Sequence, residues 1–195
     1  MRALATTLVW IGLAACAARP PGPVPSPEQT GLALAVETDP GQVRRKRRER
    51  RALKRNRRLV LAFKAVSIAA QADERGVKVT ISDLLFEFGR HGLRPSAKDK
   101  LGRVAVVLMG AGRGRRIAVE GHSDAIGAEL FNLNLSQRRA AAVARELERG
   151  GVAPALLSVV GYGSKYPVAA DEATDGRDSP EGRARNRRVE IVVLD

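Results

Sequence analysis

Cysteine is nearly missing from this chain: its 195 residues contain one, Cys16. No intrachain disulfide can form, and the two histidines, His91 and His122, have no third ligand at usable spacing. No metal and no cofactor are therefore expected. Aromatic residues make up only 4%, so the core must come from Val, Leu, Ile and Ala, which the 44% apolar content allows. The apolar run at residues 3–15 is too short for the roughly 20 residues that cross a bilayer as a helix. Ser-His-Asp or Cys-His logic is absent, and no paired carboxylates stand out for hydrolysis. The glycine-rich stretch "GAGRGRR", residues 110–116, lacks the Lys-Ser/Thr of a phosphate loop and reads as a helix-to-strand connection. A non-enzyme is expected.

What the chain does have is positive charge, +13 formally. A total of that size suggests nucleic acid, but its distribution argues against it. "RRKRRERRALKRNRR", residues 44–58, holds eleven Lys/Arg and one Glu, a net of +10 that leaves +3 for everything else. The basicity belongs to one segment. That segment suits an anionic surface or an acidic envelope protein, or it is a solvated charged spacer.

The start, "MRALATTLVWIGLAAC", has a short positive head, an apolar stretch and small residues before Cys16. It reads as an export signal over residues 1–15. The "LAAC" ending resembles the bacterial lipoprotein signal, which implies lipidation of Cys16; Ala17, in place of Asp, favours sorting to the outer membrane. Residues 16–42 follow as a linker, and 17–42 hold six of the ten prolines.

Residues 43–75 lack Pro and Gly, favour helix, and place Leu59, Phe63, Val66 and Ala70 on one stripe, with Gly76 as the stop. A basic helical segment over 43–76 is expected, and a domain over 77–195. In that domain, Val77, Val79 and Ile81 alternate with polar residues in "VKVTISDLLFEF", a strand over 77–88. Pro95 opens a helix that ends at Gly110, and "RRIAVEGH" is a strand. "SQRRAAAVARELERGG" is a helix with Ser136 as its N-cap and Ala140, Val143, Ala144 and Leu147 facing inward. "LLSVVGYG" and "RRVEIVVL" are strands separated by a polar loop over 171–185. The order β-α-β-α-β-β predicts an α/β (α+β) sandwich, with helices on one face of a mixed sheet and the basic helix ahead of it.

Five stretches carry a resemblance: "LLFEFGRHGLRPSAKDKL", "IAVEGHSD", "NLNLSQRRAAAVAREL", "VVGYGSKYPV" and "EGRARNRRVEIVV". In this order they resemble the OmpA-like C-terminal domain, found in outer membrane protein A and in the peptidoglycan-associated lipoprotein. The resemblance implies non-covalent binding of peptidoglycan, without catalysis, through meso-diaminopimelate in the stem peptide.

By that resemblance the ligand is held by Asp124 of "GHSD" and Arg139 of "LSQRRA", fifteen residues apart and too distant for a local helix pair. The chemistry fits: diaminopimelate offers a free ammonium and a free carboxylate on one carbon, for a carboxylate and a two-pronged guanidinium. Arg139, near the expected helix start, would also share the anion with free backbone N–H groups. Asn132 matches a residue at the pocket rim, or organises the turn before the helix. Arg187 matches an arginine beside the ligand carboxylates, or makes a surface salt bridge. Gly89 stands where some relatives carry a polar side chain, so a contact there would come from backbone. The expected protein is a lipid-anchored tether on the periplasmic face of the outer membrane, gripping the wall. The alternative is an envelope adaptor recruiting an acidic partner or an anionic surface through residues 44–58.

Overall fold

A computed structural model describes residues 39–82, 86, 91–171 and 177–195. The expected signal, Cys16, most of the linker, Gly89 and the middle of the 171–185 loop lie outside the described residues. Contacts divide the chain into two units, Met1–Lys46 and Arg47–Asp195. In the first, Asp39 caps helix α1 (Pro40–Ala65): its carboxylate accepts from the N–H groups of Gly41 and Gln42 at 3.0 and 3.3 Å.

The second unit contains β1 (Ala70–Asp73), β2 (Gly76–Ser82), α2 (Pro95–Met109), β3 (Ile117–Gly121), α3 (Glu129–Arg149), β4 (Leu157–Gly161), α4 (Pro180–Asn186) and β5 (Arg188–Leu194). The strand order is β1-β2-β5-β3-β4. Among the described strands the β3–β4 pair is parallel and the other pairs are antiparallel, so the sheet is mixed. The β-α-β-α-β-β order stands, with β1 and α4 added to it.

Alternation sorts the strands into two faces. Val77, Val79 and Ile81 of β2, Val189, Ile191 and Val193 of β5, and Ile117 and Val119 of β3 join one core with residues of α1, α2 and α3. The helices contribute Leu59 and Phe63, then Leu101, Val104 and Leu108, then Ala140, Val143 and Leu147. The opposite sheet face carries polar residues, among them Lys78, Thr80, Glu120, Arg188 and Glu190.

Two expectations about boundaries fail. The helix expected to reach residue 75 ends at Ala65. Ser67 turns left-handed (φ 57), Ile68 N–H returns to the Phe63 carbonyl at 2.9 Å, and the chain enters β1. Leu59 and Phe63 are fully buried as expected, but Ala70 sits in a strand. The "AQAD" of β1 has helical composition and no β-branched residue. It becomes a strand because it pairs with β2 through a tight turn, where Asp73 accepts from the N–H groups of Arg75 and Gly76. Gly76 has φ 145, and a Cβ there would lie 2.0 Å from the Val193 carbonyl oxygen.

The second correction concerns α3. It begins at Glu129, not at Ser136. Ser136 is fully buried: its hydroxyl donates to the Leu133 carbonyl at 2.8 Å and accepts from Gly163 N–H at 2.9 Å. Here the helix meets the sheet so closely that a Cβ on Gly121 would lie 2.0 Å from the Ser136 carbonyl oxygen. Only glycine fits there, which lets α3 pack directly on the end of β3.

Candidate functional site

The connection from β3 to α3, residues 122–128, is built by backbone and side chains together. His122 N–H donates to the Arg188 carbonyl and Ser123 N–H to the Gly163 carbonyl, each at 2.9 Å. Ser123 Oγ donates to the Asp124 carbonyl at 2.9 Å. Asn132 reaches back from the first turns of α3; its Nδ2 donates to the Ile126 carbonyl at 2.9 Å and the Asp124 carbonyl at 3.3 Å. At 3% exposure Asn132 is an internal brace of this loop, which is the turn-organising role.

The Asp124 carboxylate so positioned meets Arg187. Arg187 Nη1 donates to Asp124 Oδ2 at 2.8 Å, with the two side chains 30% and 13% exposed. Sixty-three residues separate them in sequence, and the sheet joins them: Gly121 of β3 pairs with Val189 of β5. Arg187 is thus an ion-pair partner, as one of its two expected roles required, and its partner is itself an expected site residue.

Arg139 is placed differently from expectation. Because α3 starts at Glu129, Arg139 lies in its interior, away from the free N–H groups of the first turn. It is 3% exposed, and its guanidinium carbon sits 5.1 Å from the centre of the Phe86 ring, a cation–π contact. Asn132, Ser136, Arg139, Ala140, Val143, Ala144 and Leu147 form one continuous buried stripe, polar in its first half and apolar in its second.

Three residues that the sequence did not place in the site support the loop. Asp171 Oδ2 accepts from Ala125 N–H at 2.9 Å, and its Oδ1 accepts from Asn186 Nδ2 at 2.6 Å. Asn186, 1% exposed, also accepts from Val168 and Ala169 N–H and donates to the Ala169 carbonyl. Ser136 ties Gly163 to α3. Asn186 was signalled only by preceding Arg187, and Ser136 by its N-cap reading and its place three residues before Arg139.

On the polar face of the sheet, Glu120 and Glu190 face each other across β3 and β5, with His122 close by. The ligand atoms of these three lie within 4.8 Å of one another, so the expectation that no third group accompanies His122 was wrong about spacing. Their charges are already spoken for. Arg75 grips Glu120 with two bonds of 2.8 and 3.0 Å; Arg188 holds Glu190 at 2.7 Å, with Lys78 at 3.5 Å. Three cations surround two carboxylates, so a divalent ion would enter a site already positive. Desolvation works to raise the Glu190 carboxyl, but Arg188 and Lys78 overcome it and hold it below its ordinary range. His122 is 4% exposed, packs its ring 5.5 Å from Tyr162 and 6.5 Å from Tyr166, and is pushed down to about 4, first by burial and then by Arg188. It stays neutral at pH 7, an internal packing group.

The OmpA family matches residues 85–186, more than half of the chain and the whole of this loop system up to Asn186. The chain belongs to the OmpA family. Among similar proteins of that kind, the peptidoglycan-associated lipoprotein of Pseudomonas aeruginosa is 39% identical over 120 residues, covering 62% of this chain and 66% of the relative. The peptidoglycan-binding protein ArfA of Mycobacterium bovis is 43% identical over 108 residues, 54% of this chain and 31% of ArfA. Among solved structures, the cell wall anchor of the T6SS from Pseudomonas aeruginosa superposes with a TM-score of 0.56 at 34% identity, covering 70% of this chain and 94% of that one. The chain spans 13% to 66% of the length of the first curated relatives it matches. In this OmpA-family chain, the Arg47–Asp195 unit packs the inward end of α1 into one core with the sheet, α2 and α3.

Proposed function

We propose that this OmpA-family chain binds peptidoglycan non-covalently through the diaminopimelate of the stem peptide, and that it tethers the wall to the outer membrane from the periplasmic face. The observation that carries the reading is the Asp124–Arg187 pair, two opposite charges 2.8 Å apart on a braced loop, both partly open to solvent. A zwitterionic carbon suits such a pair. Its ammonium takes Asp124, its carboxylate takes Arg187, and each protein charge exchanges one partner for another. Arg139 holds its guanidinium over the Phe86 ring, 5.1 Å from its centre. Asn132 serves by holding the loop. The relatives named for peptidoglycan and wall anchoring support the ligand class. A lipid on Cys16 supplies the membrane end of the tether.

The test is retention on purified sacculi of wild type, Asp124→Ala, Arg187→Ala and Arg139→Ala, with free meso-diaminopimelate as competitor. Loss of retention in the first two, and release of wild type by the competitor, is expected. Equal retention of all four proteins, folded, sinks the reading. The adaptor alternative is favoured by the exposure of the cations of residues 47–58. If neutralising them spares sacculus retention but removes the cellular phenotype, the adaptor role takes precedence.

A further inference from the structure

Wall binding leaves the basic segment unexplained. Within the Arg47–Asp195 unit, α1 faces the core with Asn56, Leu59 and Phe63, which are 5%, 0% and 0% exposed. Asn56 Nδ2 donates to Asp195 at 2.9 Å and locks that side in place. At about 100° per residue, the opposite side carries Arg47, Arg50, Lys54, Arg57 and Arg58, spaced i, i+3, i+7, i+10 and i+11, with Leu61 at i+14. All six are exposed, Leu61 at 57%, and Leu53 flanks them at 68%. Glu49, the only acid between Arg47 and Ala65, falls within about 40° of Phe63, on the inward side. The outward stripe is about 21 Å long and of one sign.

We propose that this stripe is a docking surface for anionic lipid headgroups, with the Arg47–Leu61 stretch of α1 lying along the membrane plane. Charge complementarity supplies the attraction, and a headgroup layer accepts a row of like charges without needing matched positions. The aliphatic side chains decide for lipid over a soluble polyanion. Leu61 and Leu53 stand beside the cations, and the long Arg and Lys stems add hydrocarbon below their charged ends. A lipid interface takes up both kinds of surface at the same depth, whereas an acidic protein loop or nucleic acid backbone meets only the charges. The inference stands apart from wall binding, because neither Asp124 nor Arg187 belongs to the stripe.

The experiment is vesicle co-flotation of the full chain against phosphatidylcholine alone and against phosphatidylcholine with about one-third phosphatidylglycerol. Wild type and variants share residues 1–46, so their difference belongs to the stripe. Wild type should float preferentially with the anionic vesicles, and about 0.5 M salt should reverse that preference. The triple variant Arg50→Glu, Lys54→Glu, Arg57→Glu, helical by circular dichroism, should bind at least about tenfold more weakly, and Leu61→Ser several-fold more weakly. Asp124→Ala should float as wild type does, which keeps this result separate from any failure of wall binding. Equal flotation of wild type and triple variant overturns the proposal. So does a triple variant that loses sacculus retention while still floating, since the stripe would then belong to the wall. Leu61→Ser without effect overturns the lipid assignment in favour of a soluble polyanion.

Discussion

Replacing Asp124 and Arg187 singly and together separates a ligand site from a structural ion pair. The pair is 2.8 Å long, with side chains 13% and 30% exposed. Solvent screening at that exposure limits its contribution to folding to about 1 kcal/mol or less. Binding is another matter. With Asp124→Ala, the ligand ammonium enters beside Arg187 with no acceptor, and truncating one member of such a pair costs about 2 kcal/mol at the low end of its range. That is roughly thirtyfold in Kd at about 1.4 kcal/mol per tenfold. On the proposed reading Asp124 and Arg187 act on one ligand carbon, so the double variant should lose clearly less than the sum of the single losses. Urea unfolding gives the stability changes, and titration with a diaminopimelate-containing muropeptide gives the binding changes. Single variants that lose about 2 kcal/mol of stability yet keep their affinity within about twofold would refute the reasoning and make the pair structural.

Further outcomes follow from other parts of the fold. His122 has a folded value of about 4 against an ordinary 6.5, so the unfolded chain binds the extra proton between these values and stability falls as pH drops through that window. Urea midpoints at pH 7 and pH 5 should show an acid loss of about 2 kcal/mol that His122→Phe removes. Gly121→Ala drives a Cβ to 2.0 Å from the Ser136 carbonyl and should lower thermal stability by about 2 kcal/mol or more, whereas Gly102→Ala, with open space around it on α2, should raise it by about 0.5–1 kcal/mol. Phe63→Ala should cost about 3–5 kcal/mol, because the inward end of α1 is core. A fragment starting at Val77 should accordingly be less stable than one starting at Arg47, by circular dichroism melting.

Much of the fold was legible where one face is apolar. Val77–Ile81 and Val189–Val193 alternate in plain view, and Ala140 to Leu147 mark the second half of α3. The first half of α3 was not legible, because its inward residues, Asn132, Ser136 and Arg139, are polar. Periodicity sees hydrophobicity, not burial. Asn132 and Ser136 are buried because they brace the β3–α3 loop and the close helix–sheet contact, and Arg139 because it lies against Phe86. The hairpin strand β1 was hidden for the converse reason: its helical composition is overruled by pairing with β2. Asp124 and Arg187 were both named as site residues by resemblance, but their pairing needed the β3–β5 register to appear.

β5 lies between β2 and β3, and it is the last of the five strands to leave the ribosome. Until it arrives, the β1–β2 hairpin and the parallel β3–α3–β4 unit are two separate fragments with unpaired edges, and the core they share has no middle. Such long-range closure is slow to nucleate. The chain therefore stays without a closed sheet until β5 is free to pair. Arg187 immediately precedes that strand, so the candidate site and the finished sheet come into being in a single event.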